Sequence, residues 1–297
     1  MSSRRQFLRQ AAGPLAALGA LARLAGAAMA APTPARMPTL FIGHGSPMNA
    51  IQDNGFSRFL RSWGGRLPRP RAILMVSAHW LTPGTTAVGV QARPRTIHDF
   101  GGFPKALFDM EYPAPGAPGF AREAAALVLR TRVAPREDWG LDHGSWTVLH
   151  HLYPAADVPV FQLSIDFDKP AAYHHALGRE LAPLRERGVL IVGSGNVVHN
   201  LRVLDHAEGL AASASRPWAQ AFDDGVRRAL AGRDDMALVN YTRLAGEAAA
   251  TAVPTPDHYL PLLYALGASD SMSEPAASVF EGFQAGTISM RCVQFGA

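Results

Sequence analysis

The chain holds eleven histidines and one cysteine, so any metal chemistry must run through nitrogen and oxygen donors. Three of the histidines stand at or just past the ends of short apolar runs. His44 follows TLFIG (39–43), His79 follows AILMVSA (72–78), and His199 lies beyond VLIVGSG (189–195), in GNVVHN. Such runs read as buried strands, and in open α/β sheets ligands collect outside the carboxyl ends of the strands. One histidine at one strand end is most simply a hydrogen-bonded structural residue. Three at three such ends can converge on one point, where neutral imidazoles hold a divalent metal or move protons near pH 7.

The other histidines are read one at a time. His143, in DHGSW (142–146), has Asp142 beside it, a carboxylate that either orients the ring for acid–base work or only stabilises a turn. His98, in TIHDFGGFP (96–104), sits on a long loop from which it could touch substrate. His258, in VPTPDHYLPLLYALG, lies between prolines at the start of an apolar helix and locally reads as a capping or surface residue. The pairs His150-His151 and His174-His175 cannot each put both members on one helix face, so they read as solvated, as does His206. Serine catalysis finds no support, because VGSGN around Ser194 lacks the G-x-S-x-G elbow. Ser46 and Ser145 each follow His-Gly, but adjacency in sequence does not make a nucleophile–base pair. No phosphate-binding glycine loop follows a strand. Cys292, in the strand-like run ISMRCVQF, reads as a small buried apolar residue.

The elements that must position these groups alternate along the chain. Strand-like runs occur at 39–43, 72–78, 158–164, 189–195 and 287–295. Helical patterns occupy 118–133, 169–188 and 216–232. The second has Tyr173, Leu177, Leu181 and Leu184 on one stripe and Gly188 as a stop, and the third opens at Pro217 and closes at Gly232. This predicts an α/β fold, a central mainly parallel or mixed sheet flanked by helices. Residues 91–118 and 134–147 fit neither pattern. Their Gly, Pro and aromatic content predicts ordered loops walling a pocket, with Phe100, Phe103, Tyr112 and Trp146 as its shapers.

The first thirty residues stand apart. Ser3-Arg4-Arg5-Gln6-Phe7-Leu8 is a twin-arginine pattern, followed by an Ala- and Leu-rich stretch and small residues around Ala28-Met29-Ala30. Gly13-Pro14 and Arg23 break the apolar run, which argues against a stable membrane anchor. The expectation is a signal peptide over 1–30, export by the twin-arginine route to the periplasm, and one catalytic α/β domain over 31–297. The signal segment holds four arginines and no acid, and without it 24 basic residues balance 24 acidic ones. That balance excludes a nucleic-acid-binding footprint. Oligomeric state is not readable from the sequence.

Taken in order, GHGSPM (43–48), SAHW (77–80), TIHDFGGFP (96–104), YPAPG (112–116), DHGSW (142–146), SGNVVHN (194–200) and PTPDHYLPLLY (254–264) resemble the class III extradiol ring-cleaving dioxygenases. The similarity is to the DOPA 4,5-dioxygenase type and covers about residues 37–296. It implies an α/β sandwich in which His44, His79 and His258 bind the metal. His199 would be the active-site base and His143 a second acid–base group. It also implies non-haem Fe(II), a small catecholic substrate and O2. An all-histidine ligand set suits Zn(II) too, where the usual iron triad has a carboxylate. A zinc hydrolase on the same fold is therefore the alternative, and a non-catalytic metal or catechol binder the third reading.

Overall fold

The computed structural model describes residues 36–204, 214–270 and 272–296. Residues 1–30, where a signal peptide is expected, and His206 lie outside them. Residues 35–297 form one compact unit.

Eight strands make one mixed sheet. They are β1 (Thr39–Gly43), β2 (Ala72–Leu81), β3 (Thr86–Gly89), β4 (Val133–Arg136), β5 (Val160–Ile165), β6 (Val189–Gly195), β7 (Ala276–Phe280) and β10 (Cys292–Phe295). The short strands β8 (Phe283–Gln284) and β9 (Ile288–Ser289) pair separately. The order is β4-β3-β5-β2-β6-β1-β10-β7. At its centre β5, β2, β6 and β1 run parallel, so their carboxyl ends open on one edge.

The continuous apolarity of the central strands has a simple cause: each face packs against helices. Leu40, Ile42, Ile73, Met75, Leu190 and Val192 face a core completed by α1 (Gly55–Gly64) and α3 (His143–Leu152). Phe41, Leu74, Val76 and Ile191 face the opposite core. That side carries α2 (Pro118–Leu127), α4 (Ala171–Leu181), α5 (Pro217–Ala231) and α6 (Leu260–Ala268).

Local signals fix the helix ends. Asn54 and Ser57 exchange a reciprocal cap at the start of α1. Pro217 opens α5 and Gly232 caps it. The 169–188 pattern becomes α4 plus a 3-10 turn, and Gly188 ends it at φ +81°, where a side chain would be strained.

Several expectations change. Strand β2 runs on to Leu81, so His79 lies within it rather than after it. The run 287–295 splits into β9 and β10. The segment 134–147 is not one loop. It holds the end of β4 and the first turns of α3, with Asp142 as N-cap accepting from the Ser145 amide.

The histidine pairs differ most. His174 is fully buried, its Nε2 donating to the Lys169 carbonyl (3.2 Å) while its Nδ1 accepts from the Tyr264 hydroxyl (2.9 Å). His151 is buried against the Asn49 carbonyl at 2.7 Å. Each ring finds partners across a helix contact, which a single-helix view of the sequence does not show. Cys292 is buried as expected, and burial pushes its thiol up to about 12.

Candidate metal centre

Five histidines, His44, His79, His143, His199 and His258, line one cavity of about 290 Å³ at the carboxyl edge of the sheet. Four distinct local devices bring them there. His44 leaves β1 with its amide donating to the Gly195 carbonyl (3.0 Å), and Gly45 follows at φ +62° to turn the chain. His79 projects from β2, and His143 is the first residue of α3. His258 arrives from far along the chain, and glycine makes its approach possible. A Cβ on Gly195 would stand 2.1 Å from the His258 carbonyl oxygen, and one on Gly193 would stand 2.2 Å from that of Pro261. The Asn196 amide then ties β6 to the His258 carbonyl at 2.8 Å.

Hydrogen bonding sets where the ring protons go. The Ser194 hydroxyl donates to the Gly144 carbonyl (2.5 Å), so its oxygen must accept from His44 Nδ1, 3.0 Å away. The proton of His44 is therefore on Nδ1, and Nε2 carries a bare lone pair. His79 Nδ1 faces the Asp99 carboxylate at 3.6 Å, which favours the same tautomer. The Nε2 atoms of His44 and His79 lie 3.1 Å apart. Two lone pairs at that separation repel unless a cation lies between them. Nitrogens about 2.1 Å from one ion at right angles are themselves about 3 Å apart. His258, with Nδ1 bonded to the Asp257 carboxylate, completes a set whose ligand atoms all lie within 4.8 Å of one another.

Electrostatics agrees with this geometry. Burial, and then the neighbouring imidazoles, hold His44 and His79 well below the ordinary histidine range, so both rings are neutral donors. The residues present thus fit a divalent metal, held by the ring nitrogens of His44, His79 and His258 and steadied by oxygens behind each ring.

Two histidines flank that triangle. His199 stacks on His258 with ring centroids 3.5 Å apart and planes 7° from parallel. Its ring nitrogens have no hydrogen-bond partner among the described residues. Burial foremost, then His258, pushes its pKa down to about 2. His143 lies beside His79, ring centroids 3.9 Å apart, with its Nδ1 2.9 Å from Asp99. Asp142 is not its partner. That carboxylate is fully buried and taken up by Ser77, Gln162 and the Ser145 amide.

The wall of the cavity is apolar. Phe100, Phe103, Leu201, Leu204 and Ile288 line it. His98 does not. Its Nε2 bonds the Met110 carbonyl at 3.0 Å, and its ring packs behind Phe100 and against Trp146. Its place in this structure is behind the wall, which it supports. Tyr112 and Trp146 are likewise core residues, bonded to the carbonyls of Tyr153 and Ile97.

Residues 38–291 match the family described as the catalytic LigB subunit of aromatic ring-opening dioxygenase. The chain belongs to the LigB family of class III extradiol dioxygenases. It is 50% identical over 266 residues to the 4,5-DOPA dioxygenase extradiol of Escherichia coli (strain K12), covering 88% of this chain and 95% of that one. The protein of the same name from Beta vulgaris is 37% identical, with 86% and 96% covered. An uncharacterized Escherichia coli K12 protein of known crystal structure superposes with a TM-score of 0.75 at 44% identity, covering 88% of this chain and all of that one. The chain is accordingly an extradiol ring-opening oxidoreductase of the DOPA 4,5-dioxygenase type.

Residue-by-residue reading of the sequence missed Asp99, Asp257 and the supporting role of Ser194. A signal existed for the two acids, since each adjoins a histidine, in IHDF and in PDHY.

Proposed function

We propose that this chain holds Fe(II) through the Nε2 atoms of His44, His79 and His258 and opens a catechol of the DOPA kind with O2. The observation that carries this reading is the pair of bare Nε2 atoms 3.1 Å apart, with two further imidazoles, His143 and His199, lining the cavity outside the three-histidine group. When bound, Fe(II) would supply adjacent positions for the catechol oxygens and O2 and an electronic route between them.

The protein's own groups account for the rest. Phe100 and Phe103 offer flat apolar surface to an aromatic ring and exclude water from it. His199 lines the cavity with ring nitrogens that have no hydrogen-bond partner among the described residues, able to take the proton of a catechol hydroxyl. His143 presents Nε2 to the cavity because its Nδ1 is engaged by Asp99, so Nε2 can accept a proton and then return it as the ring opens. A pure metal binder has no use for two such proton carriers.

The donor set also suits Zn(II), so the deciding experiment uses both metals. Metal-stripped protein is reloaded anaerobically with Fe(II) or Zn(II) and given L-DOPA in air, while oxygen uptake and product mass are followed. Equimolar uptake with a ring-opened product in the iron form alone is the expected result. An iron-loaded protein inert to L-DOPA and to a wider catechol panel would overturn it.

Arg4-Arg5 and the apolar stretch behind them support export by the twin-arginine route to the periplasm. Replacing both arginines with lysine should leave the full-length chain in the cytoplasm. Unchanged appearance in the periplasmic fraction would refute this.

A further inference from the structure

We infer that Asp99 is the positioning residue of this site: one carboxylate that sets the tautomer and aim of His143 and also approaches the metal-site residue His79. The inference rests on the acid–base reading of His143 and names the group on which that reading depends.

The geometry is specific. Asp99 Oδ1 accepts the backbone N–H of His143 at 2.9 Å, and Oδ2 accepts its ring Nδ1–H, also at 2.9 Å. Main chain and ring of one residue are thus gripped by one carboxylate, which removes the ring's rotational freedom. The second oxygen lies 3.6 Å from His79 Nδ1, too long for a hydrogen bond but close enough to favour a proton on that nitrogen too. Asp99 also stands before the first turn of α3, ten residues long, where amides and the helix dipole favour negative charge. The Asp99 side chain is only 17% exposed. Its neighbour in sequence, Phe100, lines the cavity and meets the His143 ring edge-on, centroids 5.6 Å apart. One short segment therefore supplies both the wall for the aromatic ring and the fixture for the proton carrier.

An ionised carboxylate only accepts hydrogen bonds, so His143 must carry a proton on Nδ1, and in the neutral ring Nε2 then turns a lone pair toward the cavity. Asp99→Asn tests this through a constraint in the geometry. The backbone N–H of His143 can only donate, so it claims the amide oxygen of Asn, and the NH2 group is left facing Nδ1. His143 must then move its proton to Nε2, the wrong side for accepting one.

The experiment has two parts. Ring 15N–1H spectra of the full chain loaded with diamagnetic Zn(II) should show His143 protonated at Nδ1 in the wild type and at Nε2 in Asp99→Asn. With Fe(II), the variant should keep its metal stoichiometry and its KM for L-DOPA within about threefold, while kcat falls roughly 10²–10⁴-fold. The double variant Asp99→Asn/His143→Ala should be no slower than His143→Ala alone, because Asp99 acts through His143. A wild-type His143 protonated at Nε2 overturns the inference without recourse to any variant. Additive losses in the double variant, or unchanged kcat in Asp99→Asn, overturn it as well. Normal turnover in His143→Ala would remove the acid–base reading itself, an outcome distinct from those three.

Discussion

The Nε2 atoms of His44 and His79 state the chemistry of the site at the scale of single residues. Both rings are neutral, and both have their other nitrogen facing an oxygen, from Ser194 and Asp99. If the proposed ligand set is right, removing either ring would leave a cation with two of three protein ligands, so His44→Ala should purify with under a tenth of the wild-type metal after dialysis. Full occupancy, measured by elemental analysis, would take His44 out of the ligand set. His199 predicts the opposite split. It stacks on His258 without sharing a hydrogen bond, so His199→Ala should retain metal and lose roughly 10²–10⁴-fold in kcat. Oxygen uptake at the wild-type rate in that variant would deny it the role of base.

What places these residues is a matter of elements, and there the reach of the sequence ends in an instructive way. Strands β1 and β6 are legible because each is an unbroken apolar run closed by glycine, and both faces are buried. β3, β4 and β7 are not, since they are short, lie toward the sheet edges and carry little apolar pattern of their own. His44, His79 and His199, close to the carboxyl ends of β1, β2 and β6, could be read locally. His258 could not, because its position is set by α6 docking over β6, and Asp99 could not, because its partner lies 44 residues away. The resemblance of PTPDHYLPLLY to the extradiol dioxygenases identified His258 where periodicity was silent. Gly195 is the point at which this docking can be tested. An Ala there would put a methyl 2.1 Å from the His258 carbonyl oxygen, and backbone must move to relieve it. Gly195→Ala should remain folded, lose about 1–3 kcal/mol of stability and bind metal at least tenfold more weakly. Unaltered metal affinity would show that the segment before α6 can shift without carrying His258 with it.

For the whole molecule, stability and catalysis draw on separate histidines. His174 lies outside the cavity, sealed between α4 and α6, with the Tyr264 hydroxyl donating to its Nδ1 and the Lys169 carbonyl accepting from its Nε2. The Tyr264 bond requires the neutral ring, whose Nδ1 must keep a lone pair to accept it. Burial foremost lowers its pKa to about 4, although the Lys169 carbonyl and the Asp166 charge act the other way. In the unfolded chain the same ring titrates near 6.5. Above that pH neither state holds the proton, and the full stabilisation is present. As pH falls from 6.5 toward 4, the unfolded chain takes up a proton that the folded one refuses, and stability declines. Below 4 both are protonated, and this loss levels off at on the order of 3 kcal/mol. Gln in its place can still donate and accept but does not titrate. His174→Gln should therefore show a flatter dependence of unfolding free energy on pH between 4 and 6.5 than the wild type, each measured by urea unfolding with metal loaded. The metal-site histidines contribute equally to both proteins and cancel in the difference. Parallel profiles would mean that His174 keeps its ordinary pKa in the folded chain, and that the α4–α6 contact tolerates a charged ring.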